Sequence, residues 1–240
     1  MDYDEIIARI DCPYETVEDI QPERIMDRYK ELINIGKAEG FFPVLITLSE
    51  TLYEFLEFSM DPDSPEHQSR EEIIEASKHI NVQEFFKRSV ANASPSEDDP
   101  HDVIGEFLGK GLLDFEMRVA SFGTTHNPDD TYIIAKIPTD KPWEIAAWVP
   151  IGGYNDCPFP AEMVAVYKYW HEKYGAVPAA VSFDQWELTV EKPVTDQGEA
   201  MALAMEHFGF CSDSVWQGVG TVGALAGTLL DSKLWQFWWD

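Results

Sequence analysis

The sequence predicts an α/β fold: a mixed sheet flanked by amphipathic helices, with a helical, acidic N-terminal region. Three observations carry it. Apolar runs of strand character alternate along the chain with segments of helical period. Hydrophobic residues make up 45% of the 240 and aromatic ones 13%, enough for a sizeable core. Some expected strands pair as hairpins while others are separated by helices, which keeps an α+β arrangement as the alternative.

Residues 22–39 have the pattern of a helix. Pro22 suits a first helical position, Ile25, Tyr29, Leu32, Ile33 and Ile35 follow helical spacing, and Gly40 ends it. Residues 42–47 form a short buried strand, expected to join the sheet of the C-terminal part. From Ser49 to Phe58, Leu52, Phe55 and Leu56 share one side, with Glu50, Glu54 and Glu57 on the other. Residues 60–69 hold two prolines and no core signal, hence a loop, and short helices follow at 71–76 and 82–90. Pro95 and Pro100 bracket Glu97, Asp98 and Asp99. Residues 93–102 therefore read as an acidic, Pro-rich linker or loop between an N-terminal region, 1–92, and a C-terminal α/β domain, 103–240.

In the second half, 132–137 and 144–149 are expected strands joined by a turn with two prolines. Residues 160–174 form an amphipathic helix with Met163, Val166, Tyr167, Trp170 and Tyr174 on one side, closed by Gly175. A βαβ crossover from Val149 through this helix to a strand at 179 is expected. Residues 179–183 and 186–191 read as a hairpin. Its second strand points Trp186, Leu188 and Val190 inward and Glu187, Thr189 and Glu191 to a wet face. A helix at 195–208 starts from Thr195 or Asp196 as N-cap, and 221–230 is a helix of small residues. A terminal strand puts Trp235, Phe237 and Trp239 on one face and Trp238 on the other.

Lys and Arg number 17 against 44 Asp and Glu, for a net charge of −27 and a sequence pI near 4.3. That balance excludes a sequence-blind grip on nucleic acid, which depends on cationic side chains displacing counterions. It suits a basic protein or a cationic ligand drawn in by long-range attraction. No run approaches 18 uncharged apolar residues, so no membrane partner is expected. Acids stand near residue 1 where a secretion signal needs bases, which points to a cytoplasmic protein. Cys12, Cys157 and Cys211 are an odd number without a C-x-x-C pair, which argues against a disulfide framework.

Cys157 lies in Gly152-Gly153-Tyr154-Asn155-Asp156-Cys157-Pro158, ahead of a helix whose N-terminus would lower a thiol pKa. With Asn155 and backbone N–H groups to hold an anion, Cys157 or Asp156 to attack or take a proton, and His171 or His207 to carry it, the 152–160 loop could serve a small-molecule hydrolase or transferase. The simpler reading is a structural turn, in which Asn155 and Asp156 cap backbone groups and Pro158 and Pro160 set the helix entry. His207 and Cys211, with Cys157 or His171, have the residue types of a zinc site. Without a paired C-x-x-C, a buried His and a buried Cys are preferred, and no metal or cofactor is expected. Asp184 is most simply a turn former and Glu187 a solvated residue. Trp170, Asp184, Glu187 and Trp238 are the candidate binding residues, and Trp238 is the aromatic expected to meet a helix on the far face or a partner. No G-x-S-x-G, H-E-x-x-H or P-loop occurs. The preferred function is a non-enzymatic acidic binding module, of the immunity type that neutralises a basic toxin. The hydrolase or transferase is the alternative.

Five segments in one order carry a family likeness: Asn155-Asp156-Cys157-Pro158, then 169–176, 183–188, 200–213 and 235–240. From about residue 132 to 240 the chain resembles the bacterial domain of unknown function 4253 family. The resemblance implies a bacterial source. Because the stretch at 41–45 is similar to what precedes the domain in relatives, it also implies that the strand at 42–47 belongs to the same fold. It implies no reaction.

Overall fold

The computed structural model describes residues 4–17, 22–61, 63–64, 67–95, 102–110 and 131–240. The chain enters through α1 (Asp4–Ile10) and β1 (Tyr14–Thr16). It then forms α2 (Pro22–Glu39), which Gly40 ends at φ +81°. In β2 (Phe42–Leu48) successive side chains serve two cores. Val44, Ile46 and Leu48 enter the larger one, and Leu45 enters a smaller one with Ile25 and Leu32 of α2. A strand apolar on both sides suits the middle of a sheet, and β2 lies there.

Three helices follow, each started by a side-chain cap. Ser49 caps α3 (Glu50–Met60), Ser69 caps α4 (Arg70–Ser77), and Asn81 caps α5 (Val82–Ala93). Ser69 and Glu72 close a full capping box, each side chain accepting from the other's backbone N–H. Of the expected linker at 93–102, residues 96–101 lie outside the described residues. Next come β3 (Thr131–Ile137), a single 3₁₀ turn, α6 (Ile145–Trp148) and α7 (Pro160–Tyr174). The hairpin of β4 (Ala176–Val181) and β5 (Gln185–Val190) leads to α8 (Gln197–Phe210), a π-helical turn (Ser214–Val219), α9 (Val222–Leu229) and β6 (Leu234–Trp238).

The described strands form one open mixed sheet of order β1-β3-β2-β4-β5-β6. All neighbours run antiparallel except β2 and β4, which are parallel with Leu45 opposite Ala180 and Ile46 opposite Val181. The fold is α/β. Residues from α3 to α9 fill the larger core on one face, while α2 covers Leu45, Ile134 and Ala180 on the other. Against α9 the backbone of residues 102–110 packs closely. A Cβ on Gly223 would meet the Glu106 carbonyl oxygen at 2.1 Å, and one on Gly227 the Gly109 oxygen at 2.3 Å. The small residues of that helix make room for a neighbouring chain segment. Among the described residues, no helix is long and apolar enough to cross a membrane.

Two expectations need correction. Residues 144–149 are not a strand: Pro142–Glu144 forms a 3₁₀ turn that runs into α6, whose four residues are all buried. Pro142 presets a helical φ and Ala146 and Ala147 favour helix, while a run buried on every side has no period to betray its type. The expected crossover from Val149 falls with that strand, and the parallel pair is β2 with β4. Glu187 is not on a wet face either. It is 1% exposed and sits opposite Ala180, on the face that α2 covers, with Tyr29 of α2 as an electrostatic neighbour.

Candidate functional site

The 152–160 loop is shaped by backbone that few residues tolerate. Gly152 has φ +136°, and a Cβ there would stand 2.1 Å from the Pro158 carbonyl oxygen. Asn155 and Asp156 follow at φ +43° and +60°, and the Cys157 N–H closes the turn on the Tyr154 carbonyl at 2.6 Å. Consecutive positive φ values inside a four-residue turn are the type I′ geometry, which Asn and Asp accept better than other side chains. Asn155 and Asp156 thus occupy the two central positions of a tight backbone turn. Beyond it, the Phe159 N–H donates to Glu162 Oε2 at 3.0 Å and Pro160 takes the first position of α7.

This turn folds Cys157 inward. Burial pushes its thiol pKa well above the ordinary value, and its nearest electrostatic partners are Tyr154 and Cys211. The Cys211 thiol is also raised by burial, to about 11, and donates to the Trp238 carbonyl at 2.9 Å. Burial thus favours the neutral thiol at both positions, whereas the nucleophilic form is the thiolate.

The imidazoles stand elsewhere. Cys157 precedes the N-terminus of α7 and His171 lies in its last turn, so roughly 16 Å of helix axis separates Pro160, three residues after the thiol, from the imidazole. His171 Nδ1 lies 3.0 Å from the Ala176 carbonyl, and its ring rests against Trp143. His207 is 2% exposed and packed among the rings of Trp170, Trp235 and Phe237, and burial lowers its pKa to about 3. The structure therefore does not gather Asn155, Asp156 and Cys157 with His171 or His207. Among the described residues, no three His, Cys, Asp or Glu side chains form a group able to hold a metal ion.

The candidate binding residues divide in the same way. Trp170 is wholly buried, stacked on Phe237 and bonded through its indole N–H to Glu206 Oε2 at 2.8 Å. Glu187 is buried as described above. Asp184 and Trp238 do come together: Trp238 Nε1 donates to Asp184 Oδ2 at 3.2 Å, and Ser182 Oγ donates to Asp184 Oδ1 at 2.7 Å. Burial raises the Asp184 pKa. Trp238, the aromatic expected to reach a helix or a partner, is half-buried and spends its polar edge on the hairpin turn.

What the loop does form is two concave surfaces. On one side, a cleft of about 310 Å³ lies between α5 and the loop, lined by Phe85, Asn92, Asn155 and Cys157, with the Arg88–Glu162 ion pair in its wall at 2.6 Å. On the other, a groove of about 550 Å³ runs between α3 and the loop. Stacking of Phe55 on Tyr154 at 4.6 Å fixes the distance between its walls. Phe58 and Phe159 line this groove and are 54% and 63% exposed. Sequence reasoning passed over both. Phe159 lies between two prolines in a segment without period, and Phe58 stands in the last turn of a helix whose buried residues are Leu52 and Leu56.

The segments that carry the family likeness are now placed: the turn at 155–158, the end of α7, the hairpin, α8 and β6. Residues 133–240 match the model of the family described as a domain of unknown function, DUF4253. No curated protein and no solved structure matches the chain. The DUF4253 segment holds β3 to β6 and the 152–160 loop, while β2, which divides β3 from β4, comes from outside it. The α3 wall of the aromatic groove likewise lies outside the DUF4253 segment.

Proposed function

We propose that this protein is a non-enzymatic binding protein whose groove between α3 and the 152–160 loop receives a basic protein partner. The observation that carries this reading is the pair Phe58 and Phe159, both well exposed and both lining one groove. Exposed aromatics grouped in a concavity are a liability in a solitary soluble protein and serve as anchors in an interface.

Charge supports the choice of partner. Glu54 stands one helical turn from Phe58, Asp156 is exposed in the loop, and the chain has 27 more acids than bases. Arg28, Lys78, Arg88, Lys110, Lys136, Lys141 and Lys173 already face carboxylates of the same chain. The excess field draws in a positive surface and repels a negative one. An immunity-type role, covering the cationic surface with which a bacterial toxin approaches nucleic acid, is the specific form of this proposal. A hydrolase or transferase at the loop has less support, because the Cys157 thiol is buried and, among the described residues, no imidazole lines its cleft.

The test isolates partners on the immobilised full chain, identifies the bound protein, and titrates it against wild type and the Phe58→Ser/Phe159→Ser double variant. The expected partner is basic, binds the double variant at least about tenfold more weakly, and associates ever more slowly as salt rises. Binding indifferent to both the substitutions and the salt would refute the proposal.

A further inference from the structure

We infer that the free edge of β6 takes up an extended, basic segment of a partner protein as a further strand of the sheet. Among the described strands, β6 ends the order and pairs with β5 alone. The Val190 N–H donates to the Lys233 carbonyl at 2.9 Å and the Trp239 N–H to the Asp184 carbonyl at 3.1 Å. In an antiparallel ladder of that register, residues 233, 235, 237 and 239 turn their backbone groups toward β5. Those of Leu234, Gln236 and Trp238 point the other way, off the sheet.

Local side chains close the two ends of this edge. Ser232 Oγ accepts from the Leu234 N–H at 3.3 Å and donates to the Leu234 carbonyl at 2.6 Å, and the Cys211 thiol holds the Trp238 carbonyl. Between them, the N–H and C=O of Gln236 and the N–H of Trp238 have no hydrogen-bond partner among the described residues, and Gln236 is exposed. Unpaired groups on a strand edge are a template for another strand, and proteins that leave an edge unused block it with Lys, Pro or a bulge. Within β6 there is no Lys or Pro, and its register with β5 is unbroken. Lys233 lies just before it, at the end that Ser232 already closes.

A groove of about 450 Å³ lies beside this edge. Its lining takes in Trp235 from the core face of β6 and Gln236 and Trp238 from the opposite face, so it wraps around the strand's outer side. Val219 of the π-helical turn and Leu225 and Leu229 of α9 give it apolar walls. An added strand would turn alternate side chains onto these walls and the others to the side of Gln236 and Trp238.

Charge selects the occupant. No Lys or Arg stands among the described lining residues, burial keeps His207 neutral, and Asp213 carries the charge of the groove. The Asp213 carboxylate accepts from Gln217 Nε2 and the Asp240 N–H, both at 3.1 Å, neutral donors that leave its charge uncompensated. A second copy of the chain would bring another Asp213 and another net charge of −27 to the same edge, whereas a basic segment meets opposite charge. This groove shares no described lining residue with the one between α3 and the 152–160 loop, so the inference stands independently of the reading above.

The test follows hydrogen exchange of the Gln236 amide in the full chain by NMR while an acetylated, amidated peptide of alternating Lys and Val is titrated in. That amide should exchange freely in the protein alone and slow by about tenfold or more at saturation, with binding that weakens as salt rises. The amides of Trp235 and Phe237, already facing β5, should keep their rates. Two control peptides, one with Glu in place of Lys and one N-methylated at every backbone nitrogen, should bind at least about tenfold more weakly. Gln236→Pro removes an outward N–H and no bond to β5, a change that sheet edges tolerate, and should weaken the peptide to the same degree. The N-methylated peptide leaves the protein untouched and decides the point even where Gln236→Pro unfolds the chain. Phe58→Ser/Phe159→Ser should bind as wild type does, and loss of binding there would move the peptide to the α3 groove and overturn the inference. No protection of Gln236, or equal binding by either control peptide or by folded Gln236→Pro, would do the same. Protection that grows with protein concentration alone would assign the edge to a second copy, which also overturns it.

Discussion

The indole N–H of Trp170 on α7 donates to the Glu206 carboxylate on α8 at 2.8 Å, and the same carboxylate accepts from the Tyr169 hydroxyl at 2.7 Å and from Lys173 Nζ at 3.3 Å. One acidic side chain thus ties together the two helices that pack the largest aromatic cluster. Glu206→Ala leaves the buried Trp170 nitrogen without an acceptor. It should cost about 1–3 kcal/mol in a urea unfolding titration, with Glu206→Gln costing less because an amide oxygen still accepts. Equal stabilities for Glu206→Ala and wild type would show that the bond contributes nothing.

His207 makes stability depend on pH. Burial lowers its pKa to about 3 from 6.5, so as pH falls the unfolded chain takes up the proton first. The contribution is complete above about pH 6.5 and is lost below it, by about 1.4 kcal/mol per pH unit until the folded pKa is reached. Between about pH 6.5 and 5, wild type should lose about 2 kcal/mol relative to His207→Phe. Most carboxylates stay ionised in that window, so parallel stability curves for the two proteins would show that the buried ring does titrate in the fold.

The two buried thiols should be unreactive in the native state. Cys157 and Cys211 are covered, and burial disfavours both thiolates. With an aromatic disulfide reagent at about pH 8, both should react at least an order of magnitude more slowly than in denaturant. Mass spectrometry assigns the labelled site. Prompt labelling of Cys157 in the folded protein would show an opened loop or an activated thiol, and would revive the hydrolase or transferase reading.

Much of this fold can be read along the chain, because caps and periods are local. Pro22 and Gly40 bound α2, Gly175 ends α7 at φ +64°, and Asp196 caps α8 through the Glu199 N–H. The alternation of Trp235, Phe237 and Trp239 in the terminal segment is seen as their burial. The turn at 152–160 was legible for the same reason, since Gly, Asn and Asp are the residues that accept positive φ.

The sequence by itself determined where most helices and strands lie, how acidic the protein is and which residues shape the middle loop. Only the tertiary structure decided what covers what. Glu187 alternates correctly for a wet face, yet α2 closes over that face from more than 140 positions away. Residues 144–149 carry no period because the core surrounds them. Cys157, His171 and His207 are compatible in type, but a rigid helix separates the first two and an aromatic cluster encloses the third. The exposed pair Phe58 and Phe159 arises the same way, from two segments about a hundred residues apart that meet at one groove. Burial is a property of the assembled chain, and no local pattern encodes which side chains assembly will leave in water.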